Sequence, residues 1–212
     1  MHLMDDIIDL ELEKVDLILE KIQSDPEDMD VRQVEINLWK KIKDMALKGR
    51  RTGLGITAEG DMLAALGLRY GSDKALKFAV EVHKTLAVEA YRASVMMARD
   101  RGAFGVFDAE KEKGNPMIER LRNADPSLYE DMLKYGRRNI AMLTIAPTGT
   151  TSLMSQTTSG IEPVFRPVYK RRRKINPNDQ NVVATFVDEQ GQAFEEYNVY
   201  HHKFIDWLNI NG

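Results

Sequence analysis

Apolar residues recur at steps of four and three near the start of the chain, at Ile8, Leu12, Val15, Leu19 and Ile22. That spacing places them on one face of a helix. Asp25-Pro26 predicts its end, because the residue before a proline avoids helical geometry. Asp30, with Gln33 three residues on, reads as a capping box for a second helix. Its face is Val31, Val34, Leu38, Ile42 and Met45, and Gly49 is its expected C′ residue. Residues 1–48 are therefore expected to form a helical hairpin. The first face reads as core packing, since a coiled coil needs three or more sustained heptads. A helical protein-interaction domain would instead self-associate through Ile8 to Ile22.

The pattern then shortens. Arg51 to Thr57 is a strand-like run containing Gly53 and Gly55. Glycine weakens a strand unless another backbone or a ligand comes close, so the run is either such an approach or a tight strand-to-helix turn. A short helix over Glu59 to Leu66 stops at Gly67. Ser72 caps a long helix to Arg101, with Gly102 as its stop and Ala75, Ala79, Val82, Leu86, Ala90, Ala93 and Met97 as its face. Ala103 to Asp108 reads as extended. Two helices follow, with Pro116 and Pro126 at their first positions. Ile140 to Ile145 reads as a buried strand. Val168 to Ile175 and Asn181 to Val187 read as paired strands joined by the turn cluster Asn176-Pro177-Asn178-Asp179. Tyr197 to Leu208 closes the chain as a helix. Helices alternating with short strands predict a helix-rich α/β fold.

Composition narrows the class. With 43% apolar and 30% charged residues, the chain of 212 residues has the make-up of a soluble globular protein. No run approaches the length of a membrane span. The N-terminus lacks a basic region followed by an apolar core, so no signal peptide is expected, and the expected location is cytoplasmic. A net charge of −3 gives no general drive toward nucleic acid. There are no cysteines, which excludes disulfides, thiolate metal sites and a cysteine radical within these residues.

The candidate chemistry lies just after the Ile140–Ile145 run, at Ala146-Pro147-Thr148-Gly149-Thr150-Thr151-Ser152. Pro147 has no N–H to leave unpaired, and Gly149 tolerates unusual backbone angles. Three hydroxyls meet a helix start, where unpaired N–H groups and a partial positive charge attract phosphate. The alternative is a plain N-cap. It is not a Walker loop, because no Gly-Lys-Ser/Thr follows.

Together with Gln156 to Phe165, and above all Gly160-Ile161-Glu162-Pro163, this turn resembles the phosphate-binding region of ribonucleotide reductase large subunits. The Pro-Thr-Gly-Thr form is similar to that of the adenosylcobalamin-dependent class. The likeness extends upstream through Gly49 to Thr57 and Arg137-Arg138-Asn139, over nearly all of the chain. It implies a piece of a ten-stranded α/β barrel: the hairpin 1–48, strands, helices and phosphate turn over 49–165, and a basic ribbon with a terminal helix over 166–212. It further implies that Ala146 to Ser152 bind the substrate phosphates, in an enzyme converting ribonucleotides to deoxyribonucleotides with adenosylcobalamin as cofactor. The family's radical and redox cysteines are absent here. No catalytic residue is therefore expected in these residues, and a cysteine-bearing portion of the reductase is the implied partner besides the ribonucleotide. The alternative is a non-catalytic nucleotide- or partner-binding module.

Other clusters carry blander readings. Lys170-Arg171-Arg172-Arg173-Lys174 is a phosphate or nucleic-acid patch or, more simply, a ribbon of solvated and paired bases, since only Tyr169 offers a stacking ring beside it. His201-His202 point about 100° apart on a helix, and His202 with Asp206 lacks a third ligand, so no metal site is expected. His83 reads as packed or at the surface. Glu162 reads as fixing a turn or a neighbouring strand rather than as catalytic. Arg50-Arg51 and Arg137-Arg138 are either phosphate contacts or salt-bridged pairs.

Overall fold

The computed structural model describes residues 1–176, 178–179 and 181–211, with the backbone alone at His202 and Asn211. The chain forms two compact units, Met1–Ile161 and Glu162–Gly212.

In the first unit, α1 (His2–Ser24) and α2 (Met29–Gly49) make the expected hairpin. On α1 the residues Ile8, Val15 and Ile22 are buried, as core packing requires. That removes the face through which an interaction domain would self-associate. On α2 the predicted stripe is displaced: Val31, Val34, Leu38 and Met45 are exposed, and Ile36, Trp39, Ile42, Lys43 and Ala46 are half-buried. Trp39, omitted from the predicted stripe, is the bulkiest apolar side chain on α2 and takes the sheltered side. The capping box does not form. Asp28 occupies the N-cap position without a side-chain bond, and Gln33 donates to Asn37 at 3.0 Å.

Gly49 is the last helical residue rather than the C′ residue. A Cβ on it would lie 3.3 Å from Cγ2 of Ile140, and its carbonyl accepts the Ile140 N–H at 2.9 Å. The glycine serves close packing, and Arg50 takes the left-handed turn at φ 44°. Its guanidinium, bonded to Asp5 and Asp9, holds it there.

The core is built by α4 (Asp73–Arg101), α6 (Pro116–Ala124) and α7 (Pro126–Tyr135). Tyr91, Val95, Ile118, Leu121, Leu128, Met132 and Met142 form one buried cluster. Helix starts follow the local signals closely: Ser72 accepts from Ala75 N, Asn115 from Met117 N and Asp125 from Leu128 N. Ala103 to Asp108 is not extended. Phe107 N–H bonds back to Phe104 O in a turn, the two rings meet edge to face, and α5 (Ala109–Glu112) follows.

Two extended segments run parallel where strands were expected. Leu54 N donates to Met142 O at 2.7 Å and Thr144 N to Leu54 O at 3.0 Å. Among the described residues this is an isolated bridge, Leu54 to Leu143, and not a barrel. The Ile140–Ile145 run is less buried than predicted: Met142 is enclosed, whereas Ile145 is 42% exposed. Gly53 and Gly55 are explained by this crossing. A Cβ on Gly55 would fall 1.8 Å from the Thr144 carbonyl oxygen, so the chain that comes close is another backbone.

The second unit is a three-stranded antiparallel sheet in the order β1-β3-β2, followed by α9 (His202–Asn211). Strand β1 (Val168–Lys174) pairs with β3 (Ala193–Tyr200), and β2 (Phe186–Val187) lies on the other side of β3. The predicted pairing of 168–175 with 181–187 is therefore wrong, and residues 197–200 are strand rather than helix. The register explains it: Arg172 sits opposite Glu196 and Arg173 opposite Glu195. Opposite charges across strands favour this partner. Pro177, in the predicted turn, lies outside the described residues; Asp179 Oδ2 there accepts the Asn176 N–H at 3.2 Å.

Candidate functional site

The turn at Ala146–Ser152 leaves the extended run and enters α8 (Gly149–Ser155). Thr148 stands at the N-cap position with φ 43° and ψ 34°, the left-handed region. Gly149 has no positive φ. The unusual backbone thus falls on the threonine, one residue before the predicted glycine. A β-branched residue there is an outlier that its surroundings must enforce. A Cβ on Gly149 would meet nothing within 4 Å, so the glycine leaves open space in front of the backbone.

The seven predicted residues divide by what they touch. Ser152 is buried, its hydroxyl donating to Gly149 O at 2.8 Å and its N–H to Thr148 O at 2.8 Å. Thr148 is half-buried, and its Oγ1 accepts the Gly160 N–H at 3.2 Å. Those two hold the turn together. Ala146, Pro147, Gly149, Thr150 and Thr151 are exposed. The start of α8 has no side-chain cap and no acidic residue in its first turn. Its first amides have no intrahelical acceptor, and no carboxylate lies on that turn.

The segment Thr57–Asp61 clamps this loop from a distance in sequence. Thr57 Oγ1 lies 2.9 Å from Thr148 Oγ1 and donates to Thr158 O at 3.3 Å. Glu59 N donates to Gly160 O at 3.3 Å, and Asp61 Oδ2 accepts the Thr158 N–H at 2.8 Å. Thr57, Glu59 and Asp61 were not singled out from sequence. Their only local signal is a polar run at the start of α3 (Glu59–Ala65), where Ala58 is left-handed at φ 64°. Glu59 also bonds His83 on α4, Oε2 to Nε2 at 2.8 Å, so His83 is a partnered residue. His83 lies in the wall of a cavity of about 780 Å³ lined by Leu54, Val80, Ala87, Met117 and Leu143.

The arginine pairs resolve as structural, except for exposed Arg51. Asp5 is fully enclosed and receives Arg50 Nε at 2.8 Å, Arg138 Nε at 3.1 Å and Asn139 Nδ2 at 3.0 Å. Burial alone would raise the Asp5 carboxyl. The hydrogen bonds and charges of Arg50 and Arg138 outweigh it and hold the pKa below the usual value. Arg137 is buried against Glu112 at 2.8 Å and over the rings of Tyr91 and Phe104. Asp5, Asp6 and Asp9 bring carboxylate oxygens within 4.8 Å of one another. Arginines occupy all three: Arg50 binds Asp9 at 2.8 Å and Arg101 binds Asp6 at 2.6 Å.

In the basic ribbon, Arg172 and Lys170 pair with Glu196, and Arg173 with Glu195. This is the paired ribbon of the simpler reading. The His202 side chain, and with it the His202–Asp206 pair, lies outside the described residues. Glu162 is exposed.

Comparison with known proteins gives the family. Residues 30–201 match the model of the ribonucleotide reductase barrel domain. A vitamin B12-dependent ribonucleoside-diphosphate reductase of Mycobacterium tuberculosis (strain H37Rv) is 32% identical over 143 residues, which is 67% of this chain and 17% of that protein. One from Thermoplasma acidophilum is 31% identical over 144 residues, 68% of this chain and 16% of that protein. A ribonucleoside-diphosphate reductase subunit alpha of Treponema pallidum is 29% identical over 133 residues, 59% of this chain and 15% of that protein. The chain spans less than a fifth of the length of these relatives.

Proposed function

The chain belongs to the ribonucleotide reductase barrel domain family, and on that premise we propose that it supplies the substrate-phosphate turn of a ribonucleoside-diphosphate reductase of the vitamin B12-dependent kind. The observation that carries this reading is the turn itself: an uncapped helix start, free of acids, opening onto empty space at Gly149. The amides of Gly149, Thr150 and Thr151 and the hydroxyls of Thr150 and Thr151 receive the phosphate oxygens. Thr148 and Ser152 shape the turn without touching the ligand. Such positioning fixes the ribose for reaction elsewhere, and orientation of this kind contributes several kcal/mol to a bound reaction.

In the complete enzyme the ribose 2′-hydroxyl is replaced by hydrogen, with adenosylcobalamin starting the radical chemistry. Support for that cofactor comes from the vitamin B12-dependent relatives. The residues present do not fit the cofactor's task, because a thiol must take up the radical and the 212 residues hold no cysteine. No step in this chain runs through it. The proposed partner is the cysteine-bearing portion of the reductase, and the chain alone is expected to reduce no nucleotide when given adenosylcobalamin and a thiol donor. No described helix is long and apolar enough to cross a membrane, and we place the enzyme in the cytoplasm.

Gly149→Val tests the turn. A Cβ there meets nothing within 4 Å, so the variant is expected to fold, with its side chain in the space proposed for the phosphate. Calorimetry with a nucleoside diphosphate is expected to show binding to the native chain and none to the variant. Equal affinity for both would refute the assignment.

A further inference from the structure

We propose that Thr57 is a positioning residue for the phosphate turn, a hydroxyl latch that holds Thr148 in its left-handed conformation. This rests on the phosphate reading of Ala146–Ser152 and names the residue that shapes it.

One order of protons satisfies all three contacts at once. Gly160 N–H donates to Thr148 Oγ1 at 3.2 Å, and the Thr57 hydroxyl donates to Thr158 O at 3.3 Å. Each hydroxyl has a single proton, and the proton of Thr57 is committed to Thr158. In the 2.9 Å contact between the two threonines, Thr148 therefore donates to Thr57. The chain of bonds runs from Gly160 N–H through both hydroxyls to the Thr158 carbonyl. It ties the turn, the loop after α8 and the entry to α3 into one unit, over sequence separations of 91 and 101 residues.

Thr148 needs such a hold. A β-branched residue at φ 43° keeps that angle only where neighbours over-determine it. The amides of Gly149, Thr150 and Thr151 that follow aim according to that angle. Releasing the hydroxyl lets Thr148 relax to a negative φ and turns those amides away from a common point. Thr57 touches no part of the proposed ligand path itself; it acts through Thr148. Thr57→Val keeps the shape and removes the hydroxyl, leaving the Thr148 proton and the Thr158 carbonyl unserved. Thr57→Ser keeps the hydroxyl.

The test is calorimetric titration of the 212-residue chain with inorganic pyrophosphate, alongside circular dichroism of each variant. Thr57→Val is expected to stay folded at the titration temperature and bind about tenfold more weakly or worse, the effect of leaving a hydrogen-bond partner unmet. Thr57→Ser is expected to bind within about twofold of the native chain, since one lost methyl leaves the hydroxyl bonds in place. A role confined to stability would lower the melting temperature of Thr57→Val and leave its affinity intact, which would overturn the latch while sparing the phosphate turn. Equal weakening in both variants would assign the effect to the methyl group and also overturn it. No pyrophosphate binding by the native chain would overturn the phosphate reading, and the latch with it.

Discussion

Asp5 joins distant parts of the first unit in one buried charge network. Two arginines and an asparagine converge on its enclosed carboxylate. Removing one partner of a buried ion pair leaves the other charge uncompensated, at a cost of about 3–5 kcal/mol. Asp5→Asn is expected to lower unfolding stability in urea by that amount at neutral pH. Because the native pKa is depressed, the stabilisation is complete above the unfolded value of 3.8 and is lost as pH falls through the lower native value. The native chain should thus lose stability below about pH 4, and the variant should show a flatter acid limb. Ala58 gives the opposite sign. Its left-handed φ of 64° carries the penalty of a Cβ, and Ala58→Gly is expected to stabilise by about 0.5–1 kcal/mol after the extra chain entropy of glycine, read as a raised melting temperature. Neither residue stood out from sequence. The partners of Asp5 lie 45 to 134 residues away, and a positive φ at alanine or threonine has no local signal. Sequence marked Gly149 as the unusual residue of the turn, whereas Thr148 carries it, because a distant hydroxyl enforces the angle.

Elements were legible where their causes are local. Ser72, Asn115 and Asp125 cap helices where the sequence placed the starts, since a side chain meets an amide two or three residues on. Asp125 also bonds Ser127 and Arg92. The Leu128 N–H first, then those two, hold its carboxyl down to about 2. Asp125→Ala is expected to cost about 1 kcal/mol, the usual worth of an N-cap, measured by thermal unfolding. By linkage, the cap of the native chain persists as pH falls until it approaches that value of about 2. Non-local pairing was not legible. The choice of β3 over residues 181–187 as the partner of β1 depends on Glu195 and Glu196 meeting Arg173 and Arg172 across more than twenty residues. The face of α2 was misplaced for a related reason: spacing finds an apolar stripe but not the neighbour that turns Trp39 inward.

For the whole molecule, the family was readable from short motifs, because Pro147–Ser152 and Gly160–Pro163 are specific combinations and not compositional trends. The helix-rich character was also readable. The ten-stranded barrel implied by the likeness is not seen among the described residues, which pair two extended segments in parallel and make a small three-stranded sheet. A barrel closes through strands far apart in sequence, and the relatives are several times longer than this chain. What this chain does carry is the turn Ala146–Ser152 braced by Thr57–Asp61, and a residue-resolved titration tests its proposed phosphate role directly. Amide chemical shifts of the native chain are followed while a nucleoside diphosphate is added. The largest saturable shifts are expected at Gly149, Thr150 and Thr151. Saturable binding that leaves those three amides unmoved, or no binding at all, would contradict the assignment of this turn.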